Sequence, residues 1–297
     1  MIRRAIDWGE LAPLRLRARE IAEGVYAGMH RSARRGSGVE FGGYREYVPG
    51  DDLRWLDRRS MLRHERLVVR QFETETDRAL CLLVDASASM GFRGSRAPGA
   101  KLAFASLVAA ALARVALTSG DPVSVTFLGG GKAAAPVTRG GGGEQFERIV
   151  ASLESLQAEG DVHLDEAALD RALQTLVRAT RRGAIVVVLS DLLDLPDGAA
   201  DRIAAIAATG RALVVVQTLD PAEVDFPFEG TVRLRALEGN AVVETDADEM
   251  RGPYLEALAA LTGDWRERVL RRGGRFLRVT TSDAPVSVVR EIVKAVR

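Results

Sequence analysis

Several features that would fix the chemistry of this chain at once are missing from it. It has one cysteine, Cys81, in 297 residues, which excludes an internal disulfide and any multi-cysteine zinc site. Cys81 lies inside an apolar run and so reads as a small core residue rather than a catalytic thiol. There is no net charge: 41 basic residues face 41 acidic ones, whereas a general nucleic-acid binder carries a basic excess. No stretch approaches the roughly 20 apolar residues of a membrane span. Met1-Ile2-Arg3-Arg4 runs on into Asp7 and Glu10 without the apolar centre of a signal peptide. A cytoplasmic, soluble chain is therefore expected. Nucleotide-phosphate loops are also missing. Gly129-Gly130-Gly131-Lys132 is followed by Ala133, which offers no hydroxyl to a magnesium ion.

What is present is ordinary globular composition, 47% hydrophobic and 28% charged, on a chain long enough for a sizeable core. Leu14, Ala18, Ile21, Val25 and Met29 recur at steps of three and four, which predicts an amphipathic helix over 10–30. Residues 1–70 hold fifteen arginines against ten acidic residues, so a positive, partner-facing surface is possible there. A turn is expected at Pro49-Gly50-Asp51-Asp52 and a strand at 67–72.

From residue 77 the texture changes. Apolar runs at 80–84, 123–128, 185–189, 212–216 and 276–279 alternate with helical segments near 99–118, 144–157, 164–180, 198–208, 250–271 and 285–296. Short, continuously apolar strands between helices predict a doubly wound α/β fold, its mainly parallel sheet covered by helices on both faces. A small hairpin is expected near 231–245 and a hairpin or loop across 129–143. The domain reading is an N-terminal helical and β extension over 1–76 and an α/β domain over 77–297. Trp8, Trp55 and Trp265 read as packing residues.

In such sheets ligands bind beyond the carboxyl ends of the strands, where the strand order reverses. The residues leaving the first strand are Asp85-Ala86-Ser87-Ala88-Ser89, and Ser190-Asp191 leave the third. One carboxylate and two hydroxyls at alternate positions can converge on a hard cation, which prefers oxygen ligands. Two neutral hydroxyls leave such a cation most of its charge, so it would attract a carboxylate from outside. A hydrolase with Asp85 as nucleophile would want an acid–base carboxylate two residues on, and position 87 is serine.

Asp85-x-Ser87-x-Ser89 resembles the DxSxS motif of the von Willebrand factor A fold, and Asp191 resembles its later aspartate. The resemblance implies a metal-ion-dependent adhesion site for Mg²⁺ (or Mn²⁺). Ser87 and Ser89 would be direct ligands, and Asp85 and Asp191 would act through water. Upstream, Gly38-Val39-Glu40-Phe41 and Arg45-Glu46-Tyr47-Val48-Pro49-Gly50-Asp51-Asp52-Leu53-Arg54 resemble the signature of domain-of-unknown-function family 58 (DUF58). Leu56-Asp57, Arg66-Leu67-Val68-Val69, Glu73 and Glu75 continue the likeness. It implies a non-enzymatic interaction module working as adaptor or co-chaperone of a MoxR-type AAA+ ATPase, with that ATPase's client proteins as further partners. Arg45, Tyr47, Asp51, Asp52 and Arg54 are then candidate partner contacts.

The sequence departs from these patterns twice. Val162 stands where the adhesion site has threonine, so Asp161 or water would fill that place, or the site has weakened. Asp57 is followed by Arg58 rather than tryptophan. The basic run Arg31 to Arg35 reads as a solvated helix end or partner contact. Accordingly, the protein should pass through DNA and RNA columns even at low salt; retention that falls steeply with salt would mark a phosphate-binding surface.

Overall fold

In the computed structural model the described residues are 6–33, 44–46, 68–70, 78–131, 134–162, 166–193, 195–235 and 242–296. Residues 1–28 and 78–297 form one compact unit, and residues 29–77 form another. Helix α1, Leu14–Ala33, therefore begins in the first unit, although the sequence reading grouped it with an extension over 1–76. In the second unit, strands β1 (Tyr44–Glu46) and β2 (Val68–Arg70) pair antiparallel. The expected turn at 49–52 lies outside the described residues.

The first unit is a mixed α/β structure built on six strands. They are β3 (Leu80–Ala86), β4 (Val123–Gly129), β5 (Val137–Gly140), β6 (Ile185–Ser190), β7 (Ala212–Leu219) and β10 (Arg275–Thr280). Their order is β10-β7-β6-β3-β4-β5. All neighbours are parallel except β4 and β5, so the glycine-rich stretch is a hairpin closing one edge. From β3 the chain moves outward to β4 and β5, then returns to the far side of β3 to lay down β6. The strand order thus reverses between β3 and β6.

Both sheet faces are covered, which is why the central strands β3, β6 and β7 are continuously apolar over 80–84, 185–189 and 212–216. Cys81 and Leu83 of β3, Val186 and Val188 of β6, and Leu213 and Val215 of β7 share one cluster with residues of three helices. These helices are α4 (Glu166–Ala179), α5 (Ala199–Ala208) and α7 (Ala247–Arg271), which contribute Leu169, Ile203, Trp265 and Val269. On the other face lies α2, Lys101–Thr118. By length and composition α2 could cross a membrane, contrary to the expectation that no segment would approach that. Fourteen of its eighteen residues are buried in the fold, as befits a central core helix.

Around α2 stand α3 (Gly142–Glu154) and α8 (Pro285–Ala295). The first turns of α1 close this layer. Leu14, Ala18, Ile21 and Val25 are buried, Tyr26 donates its hydroxyl to the Val115 carbonyl at 2.6 Å, and Arg290 of α8 donates to the Gly24 carbonyl at 2.7 Å. The remaining elements are a short helix α6 (Pro221–Asp225) and the antiparallel hairpin β8 (Thr231–Arg235) and β9 (Val242–Asp246).

One glycine in this frame bears on the loop after β3. Gly129, at the end of β4, has φ of 74°, and a Cβ there would lie 2.9 Å from the Ser87 nitrogen and 3.0 Å from the Ser87 Cα. Gly129→Ala should therefore cost about 2 kcal/mol or more, from left-handed backbone strain together with contact against rigid backbone. Urea unfolding of the two proteins would check it, and an unchanged midpoint would mean the loop gives way freely.

Candidate functional site

The carboxyl ends of β3 and β6 bring together the residues the sequence singled out. Asp85, Ser87, Ser89 and Asp191 are all buried. Asp85 accepts the Ser190 hydroxyl at 2.6 Å on one oxygen and the Ser87 N–H at 2.9 Å on the other. The Ser87 and Ser89 hydroxyl oxygens lie 3.1 Å apart, in and beside a single 3-10 turn, Ala88–Gly91.

Asp191 is held just as closely. Its Oδ1 accepts the Leu193 N–H at 3.0 Å, and the Ser190 hydroxyl oxygen accepts the Leu192 N–H at 2.9 Å. Leu192 has φ of 61°, a conformation that costs a non-glycine residue about 1–2 kcal/mol. Its side chain is buried in the apolar cluster, and this burial together with the two turn hydrogen bonds holds the strained backbone in place.

The sequence reading missed Lys101. Its side chain has no exposed surface, and Nζ sits 2.8 Å from Asp191 Oδ2 and 2.5 Å from Glu223 Oε1. The Phe92 ring centroid is 5.8 Å from the same nitrogen. Burial pulls the ammonium pKa down, but the Asp191 and Glu223 carboxylates outweigh it and hold the group charged. Glu223 is positioned by a capping box at the start of α6. Asp220 accepts the Ala222 N–H on its side chain, and Glu223 Oε2 accepts the Asp220 N–H at 2.8 Å. Asp220 also accepts the Gly94 N–H at 2.8 Å, tying α6 to the loop before α2. The sequence reading also passed over Asp220-Pro221-Ala222-Glu223, whose capping residue, proline and glutamate are a helix-start signal. The partnership of Lys101 and Asp191, ninety positions apart, had no local signal.

The loop 159–162 is stitched alongside. Glu159 N–H donates to the Ala86 carbonyl and Ala88 N–H to the Gly160 carbonyl, both at 3.0 Å. Val162 turns its side chain into the apolar cluster, so it supplies no ligand. Asp161 is half-buried and lines a groove of about 450 Å³ with Glu159, Arg171, Phe127 and Pro136. Of the candidate partner contacts, Arg45 lies in β1, and Tyr47, Asp51, Asp52 and Arg54 lie outside the described residues.

The donor set bears on a cation in two ways. Two ligands at right angles on Mg²⁺, each at about 2.1 Å, are about 3.0 Å apart, close to the Ser87–Ser89 separation. Against this, among the described residues no three His, Cys, Asp or Glu side chains form a metal-ligating group, and Asp191 already faces an ammonium. The residues fit a hard cation held through hydroxyls, with Asp85 and Asp191 behind them.

Among known proteins, the family described as "Protein of unknown function DUF58" matches residues 43–262. Uncharacterized proteins of Mycobacterium tuberculosis and Mycobacterium bovis are 31% identical over 288 residues, spanning 95% of this chain and 88% of theirs. Of solved structures, the conserved hypothetical protein BatB from Bacteroides thetaiotaomicron overlays with a TM-score of 0.48 at 19% identity. It covers 74% of this chain and 98% of its own. An aerotolerance-related membrane protein from Bacteroides fragilis gives 0.47 at the same identity and coverage.

Asp85 is the titratable weak point of the site. Burial first, and then the Asp191 carboxylate, push its pKa from 3.8 up to about 6, against the hydrogen bonds from Ser190 and Ser87. Below the ordinary carboxylate range Asp85 is neutral both folded and unfolded. Between about pH 4 and 6 the unfolded chain ionises Asp85 while the folded one resists it, so up to about 3 kcal/mol of stability is lost across that window and stays lost above it. Asp85→Asn should thus stabilise the protein by about 1–3 kcal/mol at pH 7.5 in chelator and have little effect at pH 4. Denaturant titrations at both pH values test this, and equal shifts at the two would remove the ionisation argument.

Proposed function

The chain belongs to the DUF58 family, and on that footing we propose that it is a protein-interaction module, not an enzyme. In this reading its sheet is of the von Willebrand factor A type, and a divalent cation at Ser87 and Ser89 presents a site for a partner's carboxylate. The observation that carries the reading is the 3.1 Å separation of the two serine hydroxyls beside two buried carboxylates, at the point where the strand order reverses. Mg²⁺ or Mn²⁺, when bound, would supply the positive charge that the partner's acidic group completes. Asp161, Glu159 and Arg171 line the adjoining groove, where flanking residues of the partner would lie.

An aspartate-nucleophile hydrolase is disfavoured by the state of Asp85. Both its oxygens are engaged, and Ser87 offers no proton-transferring carboxylate two residues on. For the partner, the likeness of the 45–54 segment supports a MoxR-type AAA+ ATPase, met in the cytoplasm, with Arg45, Tyr47, Asp51, Asp52 and Arg54 as candidate contacts. A second reading is a scaffold whose metal site is vestigial. It is favoured by Val162 turned into the core and by the ammonium on Asp191.

Tagged protein pulled from its own cell lysate, in Mg²⁺ and in chelator, separates the two readings. The same pull-downs with Asp85→Ala and Ser87→Ala/Ser89→Ala serve as controls. Partners that include an AAA+ ATPase and are lost with chelator or with either variant are expected. The same partners retained under every condition would establish the scaffold reading instead.

A further inference from the structure

We propose that Lys101 is the residue that sets the cation affinity of the Ser87–Ser89 site, keeping it low in the free protein by occupying the Asp191 carboxylate with its own ammonium. The inference rests on the reading that the hydroxyl pair takes a divalent cation, and it concerns how tightly that cation is held.

Lys101 stands where a lysine is costly three times over. It is the first residue of α2, whose N-cap Ala100 makes no side-chain hydrogen bond, so its charge lies at the end of the helix dipole that repels cations. Its side chain is fully buried, which removes the hydration of the ammonium. The rest of α2 that faces the core is otherwise alanine, leucine, valine, phenylalanine and one serine, so an apolar side chain would match its surroundings. What retains the ammonium is the pair of carboxylates at 2.8 and 2.5 Å.

That pairing has a direct consequence for a second cation. Asp191 spends one oxygen on Lys101 and the other on the Leu193 N–H. Asp85 spends both of its own on Ser190 and Ser87. A divalent ion arriving at the serine hydroxyls therefore meets two neutral ligands and two carboxylates already in use, with a fixed positive charge bound directly to Asp191. Like charges in a poorly solvated place repel strongly. Negative charge from a partner's acidic side chain is what tips the balance, so cation and partner enter together and the free protein holds the cation weakly. Glu223, anchored by its capping box, keeps the ammonium from turning away.

The test is titration calorimetry with MnCl₂ and with MgCl₂ on the full chain and on Lys101→Met/Glu223→Gln. The double change removes the ammonium and one of its two counter-charges together. At least tenfold tighter Mn²⁺ binding is expected in the double variant, and its loss on adding Ser87→Ala/Ser89→Ala. Equal affinity in wild type and double variant would overturn the role of Lys101 while leaving the cation site standing. No binding in either protein would overturn the cation site and this inference with it. Should the methionine variant not fold, as judged by circular dichroism, Lys101→Gln/Glu223→Gln keeps an amide donor toward Asp191 and reads the same difference.

Discussion

An ammonium taken out of water costs several kcal/mol unless carboxylates meet it inside, and much of the site's architecture follows from how that demand is met at Lys101. Asp191 is delivered by the end of β6 and Glu223 by the first turn of α6. The same short helix is fixed to the loop before α2 through Asp220 and Gly94. One buried charge thereby ties together a core helix, a central strand and the start of the β8–β9 insertion. Removing one partner of such a cluster typically costs 3–5 kcal/mol, because the remaining charge is left buried and alone.

Beside that cluster the site divides its labour by chemistry. The two carboxylates accept a donor on each oxygen and fix the loops after β3 and β6. The two serine hydroxyls stand beside them, with their oxygens 3.1 Å apart. Strain is concentrated at Leu192, next to Asp191, where two hydrogen bonds and a buried side chain maintain a left-handed backbone. Such strain persists only where its surroundings over-determine it, which marks the turn after β6 as a position held rather than one merely connecting two elements.

Much of this was legible in the sequence, for a specific reason. Strands buried on both faces are apolar at every position, so 80–84, 185–189 and 212–216 announced themselves, and their exits named Asp85 and Asp191. The hairpin at 231–245 followed from two strand-like stretches around Glu238-Gly239-Asn240, and the face formed by Leu14, Ala18, Ile21 and Val25 followed from periodicity. What escaped was long-range or compact. Lys101, at the head of an apolar helix, drew no notice because nothing near it in sequence reveals a carboxylate ninety positions away. The five-residue helix α6 is too short to show a period. Helix α2 was underestimated because its apolarity is carried by alanine as much as by large side chains, and its burial depends on α1, α3 and α8 closing over it.

The reversal of strand order between β3 and β6 also bears on how the molecule comes to exist. Leu80 pairs with Ile185 across that seam, closing a loop of about a hundred residues, whereas β3 with β4 and β6 with β7 join close neighbours in the chain. Loop-closure entropy makes the distant pairing the dearer one, and chains rich in such contacts fold slowly. Asp85 and Asp191 sit on opposite sides of the seam. An intermediate with only its local strand–helix–strand units formed would possess both half-sites and no site, so the binding surface is assembled in the same event that makes the sheet continuous.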